Sequence, residues 1–149
     1  MTSGPKVVRD DRSAPFFDAA ARDQLVTKRC SQCSQWLGLE ARTCPSCGGF
    51  NLTWEPVLGS GRLITWSIVA APPSPVFADQ VPFAVGYVEL DEGPWVNARI
   101  VDVRDDQLRA GMPLAVRFVH PTPEDDAAAD QSAGESYPVF GPAGEQSDR

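Results

Sequence analysis

Cys30, Cys33, Cys44 and Cys47 are the only cysteines in the chain, and their types and spacing could do chemistry: C-x2-C, ten residues, then C-x2-C. Each pair forms a knuckle, Cys30-Ser31-Gln32-Cys33 and Cys44-Pro45-Ser46-Cys47-Gly48-Gly49. A tight turn lets both thiolates of a pair face one point while backbone amides aim at the sulfurs. Gly48 and Gly49 are expected to supply the positive backbone angles of the second turn. Two knuckles at this separation close a tetrahedral zinc site with bonds of about 2.3 Å. Iron is the competing metal, because four thiolates can hold either. A pair of disulfides is the other use of clustered cysteines. It fits poorly here, because no secretory signal is apparent: the first apolar cluster, Phe16-Phe17, is brief and flanked by Asp18 and Arg22. A catalytic zinc keeps one open position and four thiolates leave none, so the expected metal is structural. His120, the only histidine, is expected at the surface rather than as a fifth ligand.

Lys28, Arg29 and Arg42 sit beside the knuckles. They can neutralise the negative charge of a four-thiolate zinc site, or form a small anion-binding rim. Nucleophilic catalysis needs a Ser or Cys with a base and an orienting group. The cysteines are committed to metal, and His120 beside Pro121 offers no evident triad. Asp105-Asp106 and Asp125-Asp126 are runs of acids on turns, which are ordinarily just solvated. Nothing reads as a self-sufficient active site.

These residues need a scaffold, and 149 residues suffice for one ordinary domain or two small ones sharing a core. The 26 prolines and glycines favour short strands over long helices. No apolar run approaches the roughly 20 residues of a membrane-spanning helix, so the cytoplasm is the expected location. Of the net charge of -7, the stretch from Pro121 to Arg149 carries -6, leaving a nearly neutral body. That stretch reads as a solvated acidic insertion and tail.

Residues 1–14 are expected to be disordered, and 15–55 to hold a helix and the ribbon. The helix is expected from Pro15 to about Val26, with Ser13 as N-cap and Phe16, Phe17, Ala20, Ala21 and Leu25 as an apolar stripe. Phe50, Leu52 and Trp54 alternate after the second knuckle, as in a strand covering the metal site. Residues 56–142 are expected to hold the second unit, with a flexible insertion at about 121–136 and a disordered tail at 143–149. Its strands are expected at Arg62–Val69, Phe83–Leu90, Trp95–Val103, Leu114–Val119 and Tyr137–Phe140, with a helical turn within Arg104–Ala110. Five short strands with a helical turn between the third and fourth match the plan of an OB-fold. The expected architecture is mainly β: an N-terminal helix and four-cysteine zinc ribbon, then a five-stranded OB-fold barrel.

The helix, the ribbon, "GSGRLITWSIV", the Pro-rich loop ending "FADQVPFAVGYVELDEG", "ARIVD" and "LRAGMPLAVRF" occur in an order that resembles the DUF35 family from about Pro15 to Pro142. The resemblance implies a non-catalytic accessory role in acyl-CoA metabolism. Such a chain would be a hetero-oligomeric partner of a thiolase-like enzyme, an acyltransferase or an aldolase, and in some cases of a MaoC-like hydratase.

Two other readings belong to different classes. An OB-fold that grips single-stranded nucleic acid needs a basic groove with aromatic platforms. Trp66, Tyr87 and Trp95 lie on expected strands, but half the side chains of a strand face the barrel interior, and these three are expected in the core. Between Pro56 and His120 five arginines face seven acids, a net of -2 that disfavours phosphate. A purely structural scaffold subunit is the third reading, with Phe16 and Phe17 against a partner. An acyl-CoA role asks for a few bases and an apolar groove. Arg29 and Arg62 are candidates for its phosphates, and Phe77, Trp66 and Asn97 for its groove.

Overall fold

The computed structural model of the chain describes residues 6–122 and 134–143. The expected insertion and tail lie mostly outside them, as do residues 1–5. The chain opens with helix α1 (Ala14–Ala21) and continues into strands β1 (Leu25–Cys30), β2 (Trp36–Leu37) and β3 (Leu52–Val57). These strands form an antiparallel sheet in the order β2-β1-β3, so Pro56 falls on an edge strand, where its missing N–H costs nothing. Strands β4 (Ser60–Val69), β5 (Phe83–Leu90), β6 (Trp95–Ile100), β7 (Pro113–Val119) and β8 (Tyr137–Pro142) close a barrel in the order β4-β5-β6-β8-β7. A 3-10 turn at Asp105–Gln107 lies between β6 and β7, and another at Pro75–Phe77 in the Pro-rich loop. The architecture is the expected mainly β one. Among the described residues no helix is long and apolar enough to cross a membrane.

Strict alternation builds the barrel wall. Ala84, Val88 and Leu90 of β5, with Val96 and Ile100 of β6, point into a core completed by Leu63, Leu108, Met112, Leu114 and Phe140. On β4 the inward residues are Leu63 and then Trp66, an odd step that alternation alone forbids. A bulge between Leu63 and Thr65 inserts the extra residue and brings Trp66 onto the core. The same alternation turns Tyr87 and Trp95 outward. They are 45% and 51% exposed, which corrects their expected placement in the core. Their parity follows from their neighbours: Val88 and Val96 take the inward positions.

The helix is shorter than expected. Its last turn closes at Arg22, whose N–H bonds Ala19 O, and Asp23 follows at a φ of 60°. The β-branched pair Val26-Thr27 then favours extended chain. Leu25, expected on the helical stripe, opens β1 instead and is 3% exposed in the barrel core. Strand β6 ends at Ile100, short of the expected Val103, because Asp102 turns with a φ of 61°. Phe16, Leu39 and Val57 also pack on the barrel core, so helix, ribbon and barrel share one interior.

Residues 6–13, within the segment expected to be disordered, make specific contacts. Arg9 donates to both carboxylate oxygens of Glu135 at 2.8 and 2.9 Å and pairs with Asp18 at 2.8 Å. Glu135 N–H bonds Val7 O at 2.9 Å, so the end of the expected insertion is held too. These partners lie 126 residues apart for Arg9 and Glu135, beyond the reach of any local pattern.

Phe140 is fully buried, and Phe140→Ala is expected to cost about 3–5 kcal/mol of stability, measured by denaturant unfolding.

Candidate metal centre

The two knuckles are built alike. Ser34 N–H bonds Cys30 O at 2.9 Å, and Gly48 N–H bonds Cys44 O at 2.7 Å. Cys30 N–H bonds Gln35 O and Cys44 N–H bonds Gly49 O, both at 2.9 Å. The fourth residue after each leading cysteine is left-handed, Ser34 at a φ of 68° and Gly48 at 75°. Gly48 therefore plays its expected part, while serine takes the same strained position in the first knuckle. Gly49 is not left-handed; a side chain there would collide with the Gln32 carboxamide.

Cys30 and Cys44 are buried and Cys33 and Cys47 exposed, yet one sulfur from each lies within 4.8 Å of all the others. The Sγ–Sγ separations are 3.6 Å for Cys30 and Cys47 and 3.4 Å for Cys33 and Cys44. A disulfide would need about 2.05 Å. Bonds of about 2.3 Å to a central tetrahedral ion would place sulfurs about 3.8 Å apart, so the set fits a metal ion.

The electrostatics of the four thiols diverge by position. The amides of Cys33 and Gln32 point at Cys30 Sγ and push its thiol down to about 7, against the penalty of burial. The Cys47 amide does the same for Cys44. At Cys33 the Gln35 amide favours the thiolate, but the Cys44 thiol and burial outweigh it and push Cys33 up to about 12. Cys47 is raised likewise: the Gly49 amide is outweighed by Cys30 and burial. The knuckle amides thus favour the thiolate at Cys30 and Cys44, and a cation among the sulfurs would favour it at all four.

The bases beside the knuckles mostly brace them. Lys28 Nζ donates to Ala41 O at 2.7 Å and lies 5.2 Å from the Trp54 ring centroid. Arg29 Nε donates to Ser34 O at 2.9 Å, and its guanidinium stacks 4.5 Å over Trp36. Arg42 remains exposed. Leu52 packs on the cysteine cluster as expected, whereas Phe50 is 79% exposed. A cleft of about 700 Å³ separates α1 from the ribbon, lined by Phe16, Phe17, Leu39, Phe50 and Trp54 among others. Phe16 meets Phe17 edge-on at 5.2 Å and reaches Trp54 at 6.2 Å, so both phenylalanines are half-buried against their own chain.

The residues chosen for acyl-CoA do not converge. Arg62 and Asn97 lie exposed on the outside of β4 and β6, while Trp66 packs on the core from within. Phe77, half-buried on its 3-10 turn, packs against Phe83 at 6.0 Å, and Arg99 stacks over that ring at 4.1 Å. Arg29 is on the ribbon. Sequence reasoning missed the exposed Tyr87–Trp95 pair, 6.3 Å between ring centroids, with Asn97 paired to Tyr87 across the strands. Parity with Val88 and Val96 was the signal that could have found it.

Residues 54–119 match the family model of the ChsH2 C-terminal OB-fold domain. A DUF35 domain-containing scaffold protein of Methanothermobacter thermautotrophicus is 31% identical over 98 residues, covering 65% of this chain and 73% of that protein. The chain belongs to the DUF35 family. Within that family, the solved structure titled Ltp2-ChsH2(DUF35) aldolase superposes with a TM-score of 0.72 at 28% identity, covering 90% of this chain and 96% of that one. A probable enoyl-CoA hydratase alpha subunit of Thermomonospora curvata is 30% identical over 139 residues, 93% of this chain. The chain spans only 39% of the length of that relative.

Cys44→Ser removes a buried sulfur from the cluster, and metal content by elemental analysis is expected to fall to background with loss of ribbon structure by circular dichroism. Acid should act in the same direction, because binding needs all four thiolates. Metal content is expected to fall as pH is lowered, because protons compete with the metal for the sulfurs.

Proposed function

We propose that this chain is a non-catalytic accessory subunit of a thiolase-superfamily or aldolase enzyme, holding structural zinc and contributing to acyl-CoA binding and assembly. The observation that carries this reading is the likeness, over 96% of its length, to a DUF35 chain of an aldolase. The scaffold naming of relatives supports an assembly role, and the hydratase name keeps a MaoC-like partner in view. Zinc is the proposed metal at Cys30, Cys33, Cys44 and Cys47, with iron the alternative for the same donor set. Four unpaired thiols suit the reducing cytoplasm.

For acyl-CoA the reading rests on Arg62 and Asn97 of the outer barrel face, the Phe77 loop and Arg29. Trp66 is withdrawn from any groove by its inward packing and would act only by supporting the wall. Phe16 and Phe17 reach a partner through the cleft between α1 and the ribbon. Exposed Tyr87 and Trp95 are the observation that favours the second reading, single-stranded nucleic acid, since stacking platforms need such exposure.

Affinity capture of the tagged chain from its native lysate, with mass spectrometry of what co-purifies, tests the main reading. A thiolase-like or aldolase subunit in near-equal amount is expected; nucleic-acid enzymes in its place, or nothing, would overturn it. In the captured complex, Phe77→Ala is expected to weaken acyl-CoA binding several-fold by calorimetry, and unchanged affinity removes Phe77 from the site. An acyl-CoA photoprobe separates ligand contact from bracing: label on this chain supports contact, and label confined to the partner supports a scaffold.

A further inference from the structure

His120, the only histidine, stands between a carboxylate and a hydroxyl. Asp23 Oδ1 lies 2.6 Å from its Nε2, and Ser136 Oγ lies 2.8 Å from its Nδ1. An ionised carboxylate only accepts, so in the neutral imidazole the proton sits on Nε2 and the lone pair on Nδ1. That lone pair faces the Ser136 hydroxyl, which donates to it. This is the polarity that general-base activation of a serine requires, and such a relay is recognised by geometry rather than by chain order.

Three elements meet to build it. His120 directly follows β7 and Ser136 directly precedes β8, and the last pair of those antiparallel strands is Val119 with Tyr137. The two side chains therefore face each other just past the paired ends. Asp23 arrives from the turn after α1, held by its N–H bond to Ala20 O at 3.0 Å. Next to Ser136, Glu135 is clamped by Arg9, which also grips Asp18 of α1. His120 and Asp23 side chains are 45% and 70% exposed, so the relay is open to small molecules from solvent.

We propose that Ser136 is an acyl-accepting nucleophile toward small activated esters and thioesters, with His120 as its general base and Asp23 as a positioning residue. The accessory reading concerns the partner's reaction, to which this chain supplies no catalytic group; the activity proposed for Ser136 is separate from that reaction and does not depend on it. Ser136 Oγ forms a bond to the acyl carbon as its proton passes to His120 Nδ1. The bond from carbon to the leaving sulfur or oxygen then breaks, and the leaving group takes that proton. Water, deprotonated by the same base, later cleaves the serine ester and releases the acid.

The test uses the full chain with a fluorophosphonate, which forms a P–O bond to serine and releases fluoride, and with p-nitrophenyl acetate. The expected result is an adduct on Ser136 by peptide mass spectrometry, absent in Ser136→Ala. General-base assistance contributes on the order of 100-fold or more, so His120→Gln should slow labelling by at least about that factor. Asp23→Glu should restore part of what Asp23→Ala loses. Thermal unfolding checks that each variant is folded, with His120→Asn as the replacement should His120→Gln fail. No adduct on Ser136 in the folded wild-type chain, or labelling equally fast without His120, overturns the proposal.

Discussion

Four sulfur atoms confined within 4.8 Å of one another cannot all carry negative charge unless a cation sits among them. The amides of each knuckle favour the thiolate at Cys30 and at Cys44, while the neighbouring sulfurs and burial disfavour it at Cys33 and Cys47. Around the cluster Leu37 is buried with Cys30 and Cys44, and Ala41 and Leu52 pack against them partly covered. That cluster is small; the sheet is anchored at its other end in the barrel core through Leu25 and Val57, and a metal ion held by the sulfurs would add folding free energy at the knuckles.

The barrel is organised by a different constraint, the parity of side chains along its strands. One bulge in β4 resets that parity and brings Trp66 onto the core, while unbroken alternation in β5 and β6 leaves Tyr87 and Trp95 outside. Leu25 of the ribbon sheet and Phe16 of the helix complete the same interior, so the ribbon is fixed to the barrel rather than tethered by a linker. A surface composed of both units can then be held in one geometry.

Charge is distributed to the same end. Lys28 and Arg29, adjacent in sequence to the first cysteine, satisfy carbonyls of the ribbon and stack on Trp54 and Trp36. They brace the metal site and lower its net charge at once. Arg62 on the barrel and Arg42 on the ribbon stay exposed, on different parts of the surface.

The metal cluster and the strands were legible in the sequence because their rules are local. A C-x2-C knuckle needs only neighbouring residues, and alternation needs only a strand's own length. Strand β5 spans Phe83–Leu90 as read, and the knuckle cysteines converge as their spacing requires. Parity also determined the outward turn of Tyr87 and Trp95, although aromatic residues on these strands were expected in the core. What only the tertiary structure decided are relations between distant residues. Leu25 opens β1 and completes the barrel core instead of a helical stripe. Arg9 found Glu135 across 126 residues, and His120 met Asp23 across 97. Such pairs leave no periodic trace, because the chain closure that brings them together is set by the packing of α1 against β8 and not by either residue's neighbours.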